Sequence, residues 1–599
     1  MKKSNSFNRI DAQLWVPVLV FIILFSVSRF YGLEEHPAYS GMAYSIIHPQ
    51  YFTVGLDTND YIVPHAAVLY AFLVKLAGPL WLDDRFCLFI YFLFALAAFT
   101  GTVRIILLWT GRNVLAVLTV LGIAAAFHQF ITNSPQILEQ GSFRPSAFTH
   151  PFVIWGVYFI LRKSWGKAAL MMVLANAMFV KEAWFPALAG LCFFLKDRYH
   201  LRWSLIASAL GIAFFIFLGG NYWYQVSHGT LWENARAFDM AHAWENGEGD
   251  PLMDGSGPVI YLLLIILCWR VRFPDGEVTA FIRRLSGLSG IVYILGAVYL
   301  NCAPDALKVP FFAAIDVTRS TWLGQLMMFI FLASFLVRKI DFTSLKKSLW
   351  AWAGLILLYV FPVFDLFFWK FFFNQSSYLY PKGQPLIYPE IRNKCIMLMV
   401  LVPVLAVIYF IRQKRGFKKG NVAMLVFIPI IVLSFASHLN KLHQRSEALN
   451  FLFHNGIVGD SASAKWVNIN EYVRQSISPE NTVMAFSYNS GGKGEISLDG
   501  SLRVRTGRLS GIPMGYTSYF DYNKSKQIEA LSSFAVTFSL ALSNCDAVGV
   551  NRTFKLVPLP DYMIFPADYR CELPGLLGYS KIKEIDPFVI LKKNSKPHL

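Results

Sequence analysis

Charged residues are scarce in this chain. They make up 15% of its 599 residues, hydrophobic residues make up 55%, and the mean hydropathy is +0.46. This balance excludes an ordinary soluble enzyme and indicates an integral membrane protein. A formal charge of +17 would suit nucleic-acid binding, but the lysines and arginines are spread between apolar segments and form no single basic surface. The pattern therefore predicts membrane topology and no nucleic-acid partner.

A cleavable signal peptide and a cysteine framework are also missing. The first apolar run, Leu14–Leu33, is too long for the core of a signal peptide and lacks a small-residue cleavage site, so we expect an uncleaved anchor. Five of the seven cysteines lie in or beside apolar segments, where cysteine serves as a small apolar side chain. Cys545 and Cys571 lie in the hydrophilic C-terminal part and can form a disulfide if that part is extracytoplasmic.

Apolar segments fill most of residues 14–437, and the connections between them alternate in charge. The thirteen predicted spans are 14–32, 86–108, 113–131, 146–162, 167–180, 183–196, 203–221, 258–272, 285–302, 322–338, 349–371, 394–412 and 421–437. Lysines and arginines gather on alternate connections, whereas loop 33–62 has none and loop 222–257 has only Arg236. The positive-inside rule predicts a cytoplasmic N-terminus and an extracytoplasmic C-terminus. We therefore expect a multi-pass protein of the bacterial inner (cytoplasmic) membrane.

The stretch 64–82 is apolar enough to be considered as a further span. Counting it would invert every later connection, and Lys75 in its middle would be costly at the centre of the bilayer. We predict an interfacial helix on the outer surface instead, with the lysine extended towards water.

From residue 438 the composition becomes that of a soluble domain. Predicted helices at Ala464–Gln475 and Ser525–Leu540 alternate with predicted strands at Thr482–Phe486, Ala547–Val550, Tyr562–Phe565 and Phe588–Leu591. The sequence thus predicts an all-α polytopic membrane bundle over 1–437 and a small extracytoplasmic α/β domain over 438–599. No internal repeat supports an inverted-repeat transporter.

The first outer loop, 33–62, concentrates acidic side chains. It carries Glu34, Glu35, Asp57 and Asp60, and His65 follows it. Such carboxylates can act as a general base towards an acceptor hydroxyl or amine, or can hold a divalent cation. The competing interpretation is that an outer loop uses acids for solubility. The acidic loop 222–257 shows no metal-ligand spacing, and SYNSGGKGE lacks the spacing of a phosphate-binding loop.

Cations are rare on the predicted outer side, which makes each of them a candidate ligand for phosphate. They are Arg29, Arg144, Lys181 next to Glu182, and Arg319. One arginine guanidinium can bind two phosphate oxygens at once, although each of these cations can also bind lipid headgroups. Since nucleotides are absent outside the cell, an enzyme there must take an activated substrate from the membrane, such as a lipid-linked phosphosugar. A carboxylate and cations on the same side suit that chemistry.

This arrangement resembles the GT-C superfamily of polyprenyl-phosphate-dependent glycosyltransferases, which includes protein O-mannosyltransferases and lipid A aminoarabinose transferases. The shared features are an acidic loop after the first span, an interfacial helix, about thirteen spans and an outer C-terminal domain. The stretch AKWVNINEYVRQSISPENTVMAF is also similar to segments that follow the last span in such proteins. Glu34-Glu35 stands where the family has Asp and a second acid, and Val63-Pro64-His65 replaces Pro-Pro-Leu.

The resemblance implies transfer of a sugar from a polyprenyl-phosphate donor to a glycan, lipid or protein acceptor of the cell envelope. Glu35 or Asp57 would be the base, with Glu34 and Asp60 as alternatives. Arg144 and Arg319 would lie near the lipid phosphate, and Lys181, Glu182 and His65 would complete the substrate site. The competing functions are a transporter or flippase of lipid-linked glycans, a polysaccharide polymerase or ligase, and a non-catalytic scaffold. Ionisable residues deep within spans, which transport requires, are few.

Overall fold

The computed structural model describes the chain in part. The described residues are 6–32, 43, 46–47, 67–111, 113–125, 138, 143–179, 257–273, 276–302, 321–340, 350–359, 421–456, 458, 461–478, 481–488, 494–497, 546, 548, 560–567, 578–586 and 588–594.

Helices make up the described part up to residue 456. They are α1 Ser6–Arg29, α2 Val68–Ala77, α3 Asp84–Thr110, α4 Val114–Ala125, α5 Pro145–Leu161, α6 Trp165–Met178, α7 Gly257–Arg270, α8 Gly276–Cys302, α9 Thr321–Lys339, α10 Trp350–Tyr359, α11 Asn421–Gln444 and α12 Ser446–Asn455. A 3-10 turn, Gly78–Leu82, joins α2 to α3. Within these residues, α1 from Ala12, α3 and α9 are long and apolar enough to cross a membrane by themselves. The chain is therefore a multi-pass membrane protein.

Most described helices begin and end near the predicted spans, and three extend beyond them. Helix α1 starts at Ser6, before the predicted start at 14. Helix α8 starts at Gly276 and so includes Arg283 and Arg284, which the sequence assigned to a connection. Arginine is a good helix former, and its long side chain can reach polar surroundings from a helix end. Helix α11 likewise continues past the predicted end at 437 to Gln444. The predicted spans 183–196, 203–221 and 394–412 lie outside the described residues.

Helices α3, α4 and α9 form the centre of the bundle. Helix α9 contacts α3, α4, α7 and α8, and most of its side chains are buried on all sides. Helix α1 packs against α3, α4 and α11, while its opposite face exposes Val16, Leu19, Val20 and Ile23. An exposed face this apolar suits contact with lipid. The bundle therefore has a buried centre and a lipid-facing rim.

Several of the described basic residues lie at one end of the bundle. The guanidinium of Arg104 lies over the ring of Trp15, at 5.5 Å from its centroid, and that of Arg338 lies over Phe273 at 5.4 Å. Lys163, after α5, forms an ion pair with Glu277, at the start of α8. We call this the basic end. The other end, where α1 and α11 finish and α3, α5 and α9 begin, is called the loop end because loop 33–62 leaves from it.

Helix α2 presents two different faces. Tyr70 and Val74 are buried, together with Trp81 of the following turn, whereas Phe72, Lys75 and Leu76 are exposed. A lysine among exposed apolar side chains is the composition expected of a helix at a membrane surface. Its placement on that surface stays a prediction.

The C-terminal part contains a helix packed on a mixed five-stranded sheet. Helix α13 is Ser461–Ser476, and the strands are β1 Val483–Tyr488, β2 Gly494–Ser497, β3 Tyr562–Pro566, β4 Tyr579–Ile585 and β5 Phe588–Lys593. Their order is β2-β1-β3-β5-β4, with β1 and β3 parallel and the other neighbours antiparallel. Ile469, Val473 and Ile477 of the α13 region pack on one face. An α/β arrangement is thus present.

Other expectations for this part meet different outcomes. The predicted strand at Ala547–Val550 is wrong at its one described residue, because Val548 is helical. Strand β2 begins at Gly494, inside the stretch SYNSGGKGE. Strand β4 was not predicted. The predicted helix Ser525–Leu540 and the Cys545–Cys571 pair lie outside the described residues.

Candidate functional site

Of the nine site residues expected from the sequence, the structure describes Arg144. Arg29, the further cation that the sequence singled out, is described as well. Outside the described residues lie Glu34, Glu35, Asp57, Asp60, His65, Lys181, Glu182 and Arg319. Their roles remain predictions. The described residues nearest to them in the chain show how the loop end of the bundle is built.

Arg144 caps the N-terminus of α5. Its backbone is extended (φ −136°, ψ 158°), and Pro145 occupies the first helical position, where a missing N–H costs nothing. The preceding residue, Phe143, is buried against Trp81 and Phe148, with ring centroids 5.2 and 4.9 Å apart. Buried aromatic packing therefore fixes the backbone on the N-terminal side of Arg144.

The end of α1 reaches the same aromatic cluster. The ring of Phe30 meets that of Phe143 edge to face at 5.9 Å and that of Tyr91 at 5.8 Å. Arg29, at the last position of α1, is 3% exposed. Arg29 and Arg144 are thus each adjacent in the chain to one of two rings in direct contact. Tertiary packing therefore brings the end of α1 to the start of α5, two segments that are far apart in sequence.

His150 links α5 to the start of α9. Its Nδ1 accepts a hydrogen bond of 2.7 Å from the backbone N–H of Leu138, and its ring lies 4.2 Å from that of Trp322. Leu138 has φ +58°, an uncommon value for a leucine, which this hydrogen bond helps to hold. Trp322 is in the first turn of α9, which begins two residues after Arg319. The starts of α5 and α9 therefore adjoin.

Asp84, at the start of α3, joins three parts of the chain. Its Oδ2 accepts a hydrogen bond of 2.8 Å from the backbone N–H of Val458. Its own N–H donates to the carbonyl of Gly456 at 2.8 Å. A Cβ placed on Gly32 would lie 3.0 Å from Asp84 Oδ2 and 3.0 Å from Val458 Cβ. Gly32, with φ +90°, is the residue from which the first outer loop continues.

The end of α11 also contacts α1. His438 Nδ1 lies 3.0 Å from the Ser28 hydroxyl, and the imidazole packs edge to face on Phe21 and Phe25. Arg445 donates from Nη1 to the carbonyl of Ser28 at 3.2 Å. Its guanidinium also lies over Tyr31 at 4.3 Å. The last turn of α1 is therefore held by residues more than 400 positions away in the chain.

Two groups at this end have shifted pKa values. A hydrogen bond from Arg85 lowers the pKa of Asp83, the N-cap of α3. Burial raises the pKa of the Tyr70 phenol. Among the residues that the structure describes, no group of three His, Cys, Asp or Glu side chains is placed to hold a metal ion. The divalent cation considered from the sequence remains a prediction for loop 33–62.

Sequence reasoning missed Asp84, His150 and His438. Asp84 stands before an apolar span, where an acidic residue is commonly a helix cap, and it carries no further signal. The two histidines lie within or at the edge of apolar segments, and this position is a weak sequence indication of a specific role. What distinguishes all three is contact with remote segments.

No protein-family model matches the chain, and no curated protein matches it. The structure is similar to two crystal structures of ArnT from Cupriavidus metallidurans. For the apo state, the TM-score is 0.43 at 12% identity, over 98% of this chain and 98% of that chain. For ArnT bound to undecaprenyl phosphate, the TM-score is 0.44 at 12% identity, over 98% of this chain and 99% of that chain.

ArnT is a lipid A aminoarabinose transferase of the GT-C superfamily, the superfamily that the sequence resembles. This likeness assigns no role to individual residues.

Proposed function

We propose that this chain is an integral membrane glycosyltransferase, which moves a sugar from a polyprenyl-phosphate donor to a cell-envelope acceptor on the extracytoplasmic face. The observation that carries the proposal is that Arg29 and Arg144 are the chain neighbours of Phe30 and Phe143, whose rings are in contact at the loop end. Arginine guanidinium groups suit a phosphate. The acidic loop 33–62 leaves the bundle at the same end, after Gly32.

The transfer requires a base for the proton of the acceptor and cations for the negative charge that develops on the lipid phosphate. A carboxylate of the first outer loop would take the proton of the acceptor hydroxyl or amine as that atom bonds to the anomeric carbon of the sugar. The candidate carboxylates are Glu34, Glu35, Asp57 and Asp60. The bond from the sugar to phosphate oxygen would break, and the phosphate would remain on the lipid. Arg144 and Arg319 would stabilise the charge that develops there.

The remaining expectations belong to the same proposal. Lys181, Glu182 and His65 would contact the substrate. The membrane would be the bacterial inner membrane, with the N-terminus in the cytoplasm and residues 438–599 forming an outer domain. The loop end of the bundle would then face outwards. The described charged residues that are buried, Arg29 and Asp84, lie at helix ends, which does not favour the competing transport function.

The test is the pool of polyprenyl-phosphate-linked sugars in cells that lack the protein. These cells are complemented with the wild type or with Glu34→Gln, Glu35→Gln, Asp57→Asn or Asp60→Asn. Glu277→Gln is the matched control, because it makes the same chemical change at an exposed site of the basic end.

We expect one lipid-linked sugar to accumulate in the deletion cells and to be cleared by wild type and by Glu277→Gln, but not by one outer-loop variant. An unchanged pool in the deletion cells would contradict a transferase. Clearance by all four outer-loop variants would contradict their role as base.

A further inference from the structure

The geometry points to Asp84 as a positioning residue, which ties the start of the first outer loop to the chain segment leading into the C-terminal domain. We call that segment the connector and define it as Arg445, helix α12, Gly456 and Val458. The inference rests on the proposed function, since the loop carries the candidate bases. The inference is that Asp84 and the connector together fix the position of Gly32, from which that loop continues.

Asp84 binds the connector through both its backbone and its side chain. The N–H of Asp84 donates to Gly456, and its carboxylate accepts from the N–H of Val458. The side chain is 1% exposed, so water does not compete with these bonds. A buried carboxylate that accepts a backbone N–H forms a charge-assisted bond, which is stronger than a neutral one. Asp84 therefore holds two connector residues at fixed positions.

Gly32 fits between Asp84 and the connector. A Cβ at residue 32 would lie 3.0 Å from the Asp84 carboxylate and 3.0 Å from the Val458 side chain. That distance is tighter than an ordinary contact, so a side chain here would require its neighbours to shift, and the positive φ of Gly32 also favours glycine. Glu34 follows Gly32 by two residues in the chain. Removal of the Asp84 carboxylate would therefore free the first outer loop at its beginning.

The connector has independent attachments to the bundle. Arg445 binds the carbonyl of Ser28 and the ring of Tyr31, and the helix before it is held by His438 on Ser28. Helix α12 also contacts α3. Loss of the Asp84 carboxylate consequently leaves α11 and α12 in place, so the predicted effect concerns Gly32 and Val458 and not the whole fold.

Asp83 offers a matched control next to Asp84. Asp83→Asn makes the same chemical change as Asp84→Asn, but the side chain of Asp83 bonds Arg85 and not Val458. Asparagine is also a good N-cap, so α3 keeps its start. Asp84→Asn retains an oxygen that can accept from Val458, whereas Asp84→Ala removes it.

The experiment compares the full-length wild type with Asp84→Ala, Asp84→Asn and Asp83→Asn. Three properties are measured: clearance of the accumulated lipid-linked sugar in deletion cells at equal membrane levels, binding of undecaprenyl phosphate to the purified protein, and hydrogen exchange at the Val458 amide.

We expect Asp84→Ala to clear the lipid-linked sugar about tenfold more slowly and to exchange faster at Val458. We expect Asp84→Asn to clear the lipid-linked sugar about threefold more slowly than the wild type, and Asp83→Asn to clear it at the wild-type rate. Binding of undecaprenyl phosphate should stay within about twofold in all variants, because Arg29 and Arg144 are unchanged.

Normal clearance by Asp84→Ala with faster exchange at Val458 would overturn the inference and leave the transferase standing. If Asp84→Ala and Asp84→Asn lose clearance, lipid binding and protein yield to the same extent, the role of Asp84 is merely structural. That result would also overturn the inference. If deletion cells accumulate no lipid-linked sugar, the proposed function fails and the inference fails with it.

Discussion

The two ends of the bundle use charged side chains in different ways. At the basic end, Lys163 and Glu277 pair with more than half of each side chain exposed, and Arg338 lies over an aromatic ring near the surface. At the loop end, Arg29 and Asp84 are almost fully buried, and Asp84 accepts a hydrogen bond from the remote Val458. Exposed pairs contribute little to stability, whereas buried charges need specific partners. The buried and specifically bonded charge therefore lies at the loop end, where we propose the functional site.

The largest difference between the ends should appear when an aromatic side chain is removed. Trp81 at the loop end is 1% exposed and contacts Tyr70 and Phe143, whereas Trp350 at the start of α10 is 52% exposed. We expect Trp81→Ala to lower the free energy of unfolding by about 3–5 kcal/mol because a cavity forms. Trp350→Ala should cost less than about 1 kcal/mol. Thermal unfolding of the purified proteins in one detergent measures both, and equal losses would contradict a loop end packed more tightly.

The second prediction compares two arginines on one helix. Arg144 begins α5 at the loop end, and Arg162 follows its last residue at the basic end. If Arg144 binds the lipid phosphate, Arg144→Gln should slow clearance of the lipid-linked sugar about 100-fold, as loss of one charge-stabilising donor does in other enzymes. Arg162→Gln should leave clearance unchanged. Equal rates for the two variants at equal membrane levels would remove Arg144 from the proposed site.

The third prediction concerns glycines that face a neighbouring helix or open space. A Cβ on Gly122 of α4 would lie 2.6 Å from the Ser434 hydroxyl of α11, whereas nothing lies within 4 Å of a Cβ on Gly166. Gly122→Ala should cost about 1–3 kcal/mol through overpacking. Gly166→Ala should stabilise by about 0.5–1 kcal/mol because α6 gains a better helix former. Adding Ser434→Ala should restore part of the loss at Gly122, and absence of any rescue would contradict this contact.

A smaller effect is expected for the exposed ion pair of the basic end. Lys163→Gln removes the pairing with Glu277. Exposed pairs typically contribute about 0.2–1 kcal/mol and are screened by salt. The difference in the free energy of unfolding from wild type should therefore lie near the lower end of this range and vanish in concentrated salt. A large, salt-independent loss would show that the basic end is as tightly organised as the loop end.

The smallest predicted effect depends on pH at the loop end. Arg85 lowers the pKa of Asp83 in the folded protein, so the pair stabilises folding above the unfolded pKa of Asp, about 3.9. This contribution is lost as the pH falls through the lower folded pKa. Wild type should slightly exceed Asp83→Asn in thermal stability at neutral pH and match it at strongly acidic pH. A difference that grows on acidification would contradict the assigned cause.

The sequence predicted helices best where apolar and polar residues meet sharply. The span predicted at 146–162 is α5 at Pro145–Leu161, and that at 322–338 is α9 at Thr321–Lys339. Helix α13 and strands β1, β3 and β5 were also expected near their observed positions. Strand β4 was missed because YSKIKEI is largely polar, and its described side chains are mostly exposed at the edge of the sheet.

The candidate site was less predictable because its contacts join distant parts of the chain. Arg144 was singled out as an unusual outer cation, but nothing in its surroundings indicated that Phe143 would meet Phe30. Asp84 and His438 had no pattern that separates them from a helix cap or a histidine at the edge of a span. Packing of apolar faces decides such neighbours, and many pairings of similar apolar helices suit the same sequence pattern.

Composition and periodicity by themselves determined that this is a multi-pass membrane protein with basic residues on alternate connections. The cost of placing charge in hydrocarbon is strong enough to be seen in sequence. The tertiary structure alone decided that Phe30, next to Arg29, meets Phe143, next to Arg144, and that Asp84 binds Val458 close to Gly32. Those contacts depend on side-chain shape and on directed hydrogen bonds between segments hundreds of residues apart, which no local pattern encodes.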